Sequence, residues 1–252
     1  MIVDAHTHVG LGSSYLGRGP SREFNGDDLV AIMDQEGIDR AVCFGLGHTG
    51  PTEGVRYTID AIQRHPDRLI GFFRANPYSP TAVKDFERAV KEYGFKGLKL
   101  HPISEGFPAN HPVVFALLEK ATELGVPCTI HSHQYGTAGA GSQPAIIAEL
   151  AEQFPKLTII LAHMGMYLYR DALYVAQHHP NIVLETSAQP WTHRIARLAV
   201  DRVGPERLIF GSDTPLHHPR VELLKMRSSD LEGSELDLAL GGNILRILGM
   251  AG

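Results

Sequence analysis

Cysteine is scarce: only Cys43 and Cys128 occur in 252 residues, far apart and each inside an apolar run. That excludes a disulfide framework and a cysteine metal site, and it points to buried reduced thiols in a cytoplasmic protein. No apolar stretch has the length of a membrane span, and the N-terminus carries Asp4 and His6 where a secretory leader would be basic and then unbrokenly apolar. The start therefore reads as a structural strand. There is no long basic run and the net charge is −5, so neither nucleic acid nor an anionic membrane is an expected partner. A small-molecule substrate is expected instead, and a homo-oligomer is left open. Two catalytic signatures are also missing. Gly45-Leu46-Gly47 lacks the further glycine of a dinucleotide fingerprint, and Ser187 and Ser212 lack the glycine-flanked elbow of a serine nucleophile.

What is present is an ordinary globular composition, 43% hydrophobic and 20% charged, arranged in a regular alternation without linker or low-complexity segment. Candidate strands are Ile2–Val9, Arg40–Leu46, Leu69–Asn76, Phe95–His101, Pro127–Ser132, Leu157–His163, Ile182–Thr186 and Leu208–Asp213. Helix-period segments lie between them, such as Leu29, Ile32 and Met33, or Val114, Leu117, Leu118 and Ala121. Gly37, Gly94 and Gly125 stand where helices should stop, as do His65-Pro66, Phe154-Pro155 and His179-Pro180. Strand followed by helix, repeated, calls for a parallel sheet, which could be an open doubly wound one. Eight units favour a single α/β domain over residues 1–252, a (β/α)8 TIM barrel with its active site at the carboxyl ends of the strands. Gly10–Gly26, rich in glycine and serine, reads as an active-site loop at the mouth of the first strand.

His6-Thr7-His8 ends the first apolar run, and strand alternation lets His6 and His8 present two imidazoles to one ion while Thr7 points away. Further metal-binding types recur at the ends of later runs: Lys99 and His101, His131 and His133, His163, and Asp213. A lone histidine is more often an ordinary core or surface residue, and His48, His65, His111, His178 and His179 are read that way. Asp213 could also be a helix N-cap. Arg74, ending the third strand, is either a bidentate carboxylate anchor or a surface salt-bridge residue.

Five segments, Asp4-Ala5-His6-Thr7-His8, Gly97-Leu98-Lys99-Leu100-His101-Pro102, Ile130-His131, Leu161-Ala162-His163-Met164-Gly165 and Phe210-Gly211-Ser212-Asp213-Thr214-Pro215, together resemble the amidohydrolase superfamily. More narrowly they resemble its amidohydrolase-related branch, which includes aminocarboxymuconate-semialdehyde decarboxylase and the resorcylate decarboxylases. The resemblance implies that His6, His8, His131 and Asp213 bind a divalent ion, with His163 beside it as catalytic partner. Imidazoles with one carboxylate suit zinc, the expected metal, or a neighbouring ion. Asp213 would also carry a proton. Lys99 would be a free ammonium facing a substrate carboxylate or a buried Asp, leaving one ion, or a carboxylated bridge between two. His101, His133 and Arg74 would complete the substrate site, His131 being preferred to His133 as ligand because it ends the apolar run.

The expected reaction is hydrolysis of a small amide, ester or lactone, in which the metal lowers the pKa of water from 15.7 toward about 7. The alternative is a lyase, a non-oxidative decarboxylase or hydratase of a small carboxylic acid, built on the same ligands.

Overall fold

The computed structural model describes residues 1–12, 22–46, 51–133, 141–189 and 194–250. Its strands are β1 (Val3–Gly12), β2 (Arg22–Phe24), β3 (Arg40–Gly45), β4 (Leu69–Arg74), β5 (Gly97–Leu100), β6 (Cys128–Ile130), β7 (Ile159–Leu161), β8 (Ile182–Glu185) and β9 (Leu208–Ile209). They form one curled nine-stranded sheet in the order β2-β1-β3-β4-β5-β6-β7-β8-β9, parallel throughout except for the β1/β2 pair. The segment after β9 returns to β1: Ala5 N–H donates to Phe210 C=O at 2.9 Å, Asp213 N–H to His6 C=O at 2.7 Å and His8 N–H to Thr214 C=O at 2.8 Å. β1 and the segment after β9 are thus joined through main-chain groups.

Helices occupy the crossovers, among them Gly26–Glu36, Pro51–Arg64, Ala82–Tyr93, Phe115–Leu124, Pro144–Gln153, Tyr169–His178 and Ile195–Val203. The first shows why such a segment is helical. Asn25 accepts hydrogen bonds from the N–H groups of Asp27 and Asp28, the Asp28 carboxylate accepts from Asn25 N–H, and Leu29 and Met33 are buried. Gly37, Gly94 and Gly125 end their helices at φ 69°, 75° and 68°, a left-handed conformation that a Cβ would oppose. Among the described residues no helix is long and apolar enough to cross a membrane.

Alternate strand residues divide between two apolar clusters. Val42, Phe44, Ile70, Phe72, Ile160, Val183 and Ile209 pack within the curl, while Cys43, Phe73, Leu98, Leu100 and Leu161 meet the helices. Most expected strands end one or more residues early, and at two of them the backbone shows why. β7 stops at Leu161 because His163, Met164 and Met166 take positive φ, and β9 stops at Ile209, ahead of Asp213 at φ 66°. β2 was not foreseen, and of the expected loop Gly10–Gly26 only the two ends, which pair as β1 and β2, lie within the described residues. Gly47 and His48 lie outside them.

Candidate metal centre

The centre starts from an irregularity in β1. Asp4 pairs with Ala41 and Thr7 with Cys43, so β1 carries one residue more than β3 over this step. The bulge explains how Val3 and Ala5 join the inner apolar cluster while His6 and His8 also pack against the inward-facing Phe44, at 5.0 and 4.7 Å between ring centres. Asp4 secures it: its buried Oδ1 accepts from His6 N–H at 3.1 Å and Ser212 N–H at 2.9 Å. Burial, only partly offset by those bonds, pushes the Asp4 carboxyl up to about 7.

Across the curl, Asp213 Oδ1 lies 2.9 Å from His8 Nε2 and 3.4 Å from His6 Nε2. One ligand atom each from His6, His163 and Asp213 falls within 4.8 Å of the others, all three residues being buried. His163 comes from the left-handed turn after β7, and its Nδ1 sits 2.9 Å from Ser187 Oγ and 3.2 Å from Ser187 C=O. Its Nε2 faces His131 Nδ1 at 3.1 Å. His131 in turn stacks on His101, ring centres 3.9 Å apart, and lies 5.9 Å from the His133 ring. His101 Nδ1 accepts from Ser104 N–H and so caps the short turn Pro102–Glu105.

The charge states suit cation binding. Burial pushes His6 and His131 well below the ordinary imidazole range, with Lys99 adding to this at His6 and His101 at His131. It lowers His8 against the pull of Asp213, and it brings His163 down to about 3. Burial would by itself raise Asp213, but the His8 hydrogen bond and the flanking His6 and His163 outweigh it, so this carboxyl lies well below its usual range. Neutral imidazoles around a carboxylate are the donor set that a divalent cation requires.

Lys99 and Arg74 are register partners on β5 and β4 and are both buried. Lys99 Nζ lies 3.5 Å from His6 Nε2 and 4.8 Å from the centre of the Phe44 ring, and burial brings its pKa down to about 8. Arg74 is not a surface residue. One terminal nitrogen donates to Gly45 C=O at 3.1 Å and the other to Glu105 at 2.6 Å, while Arg74 Nε and Glu105 Oε2 have no partner among the described residues. Two acidic residues at the site escaped the sequence reading. Glu105 is one, in a four-residue helical turn. Glu185 is the other, fully buried at the end of β8, where it accepts from His6 Nδ1, His163 N–H and Ser187.

The amidohydrolase family model matches residues 3–250. A gamma-resorcylate decarboxylase of Polaromonas sp. strain JS666 is 24% identical over 253 residues, covering 76% of this chain and 77% of that protein. The crystal structure of 2,6-dihydroxybenzoate decarboxylase from Rhizobium superposes with a TM-score of 0.79 at 17% identity, covering 100% of this chain and 99% of that one. A dihydroxybenzoic acid decarboxylase from Polaromonas sp. JS666, solved with bound manganese and the inhibitor 2-nitroresorcinol, gives 0.76 at 17% identity, with 99% and 97% covered. These relatives are lyases. They overturn the expectation of amide, ester or lactone hydrolysis, which followed from reading the ligand set as a generator of attacking water although the same ligands serve proton transfer to carbon. Manganese in a relative likewise gives zinc no particular support.

Proposed function

We propose that this chain, which belongs to the amidohydrolase family, is a divalent-metal-dependent decarboxylase of a small hydroxylated aromatic acid. The observation that carries the reading is the convergence of His6, His163 and Asp213 within 4.8 Å at the strand ends, neutral imidazoles against an ionised carboxylate. The resemblance to hydroxybenzoate decarboxylases directs that centre toward loss of carbon dioxide. We take the curled sheet as a closed (β/α)8 barrel forming one domain over residues 1–252, a reading supported by the hydrogen bonds between β1 and residues 210–214.

In this reading His6, His8, His131 and Asp213 hold the cation, for which manganese is the first choice, and His163, the remaining member of the cluster, stands beside it as proton carrier. When bound, it supplies positive charge that orients and polarises an anionic substrate. Lys99, with no carboxylate within 4.0 Å among the described residues, offers its ammonium to the substrate carboxylate. Arg74, held by Glu105 and Gly45, adds positive potential from the neighbouring strand, and His101 and His133 flank the ring. Asp213 or His163 takes the proton of a substrate hydroxyl and passes it to the ring carbon that bears the carboxylate; the carbon–carbon bond then breaks with its electron pair returning to the ring, and carbon dioxide leaves. Burial keeps the His163 ring neutral at rest, so it enters this relay as a proton acceptor and not as an acid.

The test incubates the Mn2+-loaded protein in D2O with 2,6-dihydroxybenzoate and related hydroxybenzoates, beside a panel of lactones and amides. Carbon dioxide release with one deuteron on the vacated ring carbon is the expected outcome. Turnover of a lactone or amide, with every hydroxybenzoate returned intact, would refute it.

A further inference from the structure

We infer that Glu185 is the positioning residue of this centre: it fixes His6 in the tautomer that leaves Nε2 unprotonated, and it ties the His163 backbone into the turn that delivers the second imidazole. Four hydrogen bonds carry the inference. Glu185 Oε2 lies 2.9 Å from His6 Nδ1, 3.1 Å from the backbone nitrogen of His163 and 2.9 Å from Ser187 Oγ, while Oε1 accepts from Ser187 N–H. Two of these donors are main-chain N–H groups, which cannot act as acceptors. The carboxylate is thereby held as an acceptor, and His6 Nδ1 must be the protonated nitrogen. The Nε2 lone pair then points to the side where Asp213 Oδ1 lies at 3.4 Å.

His163 has φ 60°, and Met164, Gly165 and Met166 follow at 45°, 70° and 50°. Positive φ at the non-glycine residues His163, Met164 and Met166 is costly, and Glu185 Oε2 anchors the first of them at its N–H. Through Ser187, whose hydroxyl donates to Glu185, the same carboxylate also reaches the Nδ1 side of the His163 ring. A carboxylate behind a ligating histidine is a general way to orient the ring and raise its basicity. Here one carboxylate serves two histidines, one on β1 and one in the turn after β7.

The consequence for affinity rests on the cation site proposed above, whereas the tautomer does not, and the test separates them. Histidine 15N spectra of the metal-free wild type at neutral pH should show His6 as the Nδ1–H form. In Glu185→Gln, with unchanged circular dichroism, His6 should become a tautomer mixture and Mn2+ affinity, followed by electron paramagnetic resonance, should fall roughly 10- to 100-fold. Glu222→Gln is the control for loss of a buried carboxyl. Its carboxylate binds Lys225 and no histidine of the centre, so the His6 spectrum and Mn2+ affinity should hold within about twofold. An Nε2–H His6 in the wild type overturns the inference even if Glu185→Gln does not fold. So does a folded Glu185→Gln protein that keeps the wild-type spectrum and affinity. A wild type that binds no Mn2+ would remove the proposed function, and the histidine spectra would then decide the role of Glu185 alone.

Discussion

At the scale of single residues, the two histidines that face each other at 3.1 Å divide the proposed labour. His6→Ala should empty the centre of metal, and His131→Ala should weaken it. His163→Ala should retain the ion and lose turnover by about 10² to 10⁴, the usual contribution of a general acid or base. Metal content and rate measured on the same preparations check this, and an empty His163→Ala protein would make His163 a ligand. Gly211 gives a second residue-scale prediction. A Cβ there would sit 2.9 Å from the His6 Cβ and closer still to Glu185 Oε1, so the glycine in Gly211-Ser212-Asp213 is required by close approach. Gly211→Ala should destabilise by about 1–3 kcal/mol, as overpacked sites do, and should weaken Mn2+ binding by moving Glu185 and His6. Urea unfolding and metal titration would reveal it, and a fully stable, fully loaded variant would argue against the packing described. The histidines and Asp213 were visible in the sequence because their residue types are distinctive at strand ends. Glu185 was not: Leu184-Glu185-Thr186 carries no motif, and the His6 that it orients lies 179 residues away.

At the scale of elements, the joint between β1 and the segment after β9 rests on Asp4. Its carboxyl titrates near 3.8 in the unfolded chain and at about 7 in the fold, because burial disfavours the charged form. Between those values the folded protein holds a proton that the unfolded chain has released, so this group's contribution to stability falls as pH rises from about 4 to 7. Asp4→Asn keeps an oxygen to accept from His6 and Ser212 and removes the charge. The variant should match the wild type near pH 4 and exceed it at pH 8 by on the order of 1–4 kcal/mol, read from urea midpoints across that range. A variant less stable at pH 8 would mean that the ionised carboxylate is the better partner. The alternation of parallel strands and helices was legible because apolar runs and glycine stops recur in register with it, Gly37, Gly94 and Gly125 all capping as expected. Strand ends were less so. Positive φ at His163 and Asp213 has no compositional signal, and Arg22–Phe24 is too short and polar to announce β2.

At the scale of the whole molecule, an ion held between β1 and the segment after β9 should bear on global stability. Saturation at about 100 times the dissociation constant adds about 2.7 kcal/mol, which for a chain of this length raises the melting temperature by about 5–10 °C. Chelation should lower the melting temperature by that amount and Mn2+ should restore it; indifference to chelator would exclude a tightly held ion that bridges the sheet. The same joint has a bearing on biosynthesis. Asp4 meets Ser212, and His8 meets Asp213, across separations of 208 and 205 residues. During translation His6 and His8 therefore wait for their carboxylate partner until residue 213 has been made. The centre cannot assemble until the segment after β9 has emerged, so capture of a stray ion by the two imidazoles alone is disfavoured.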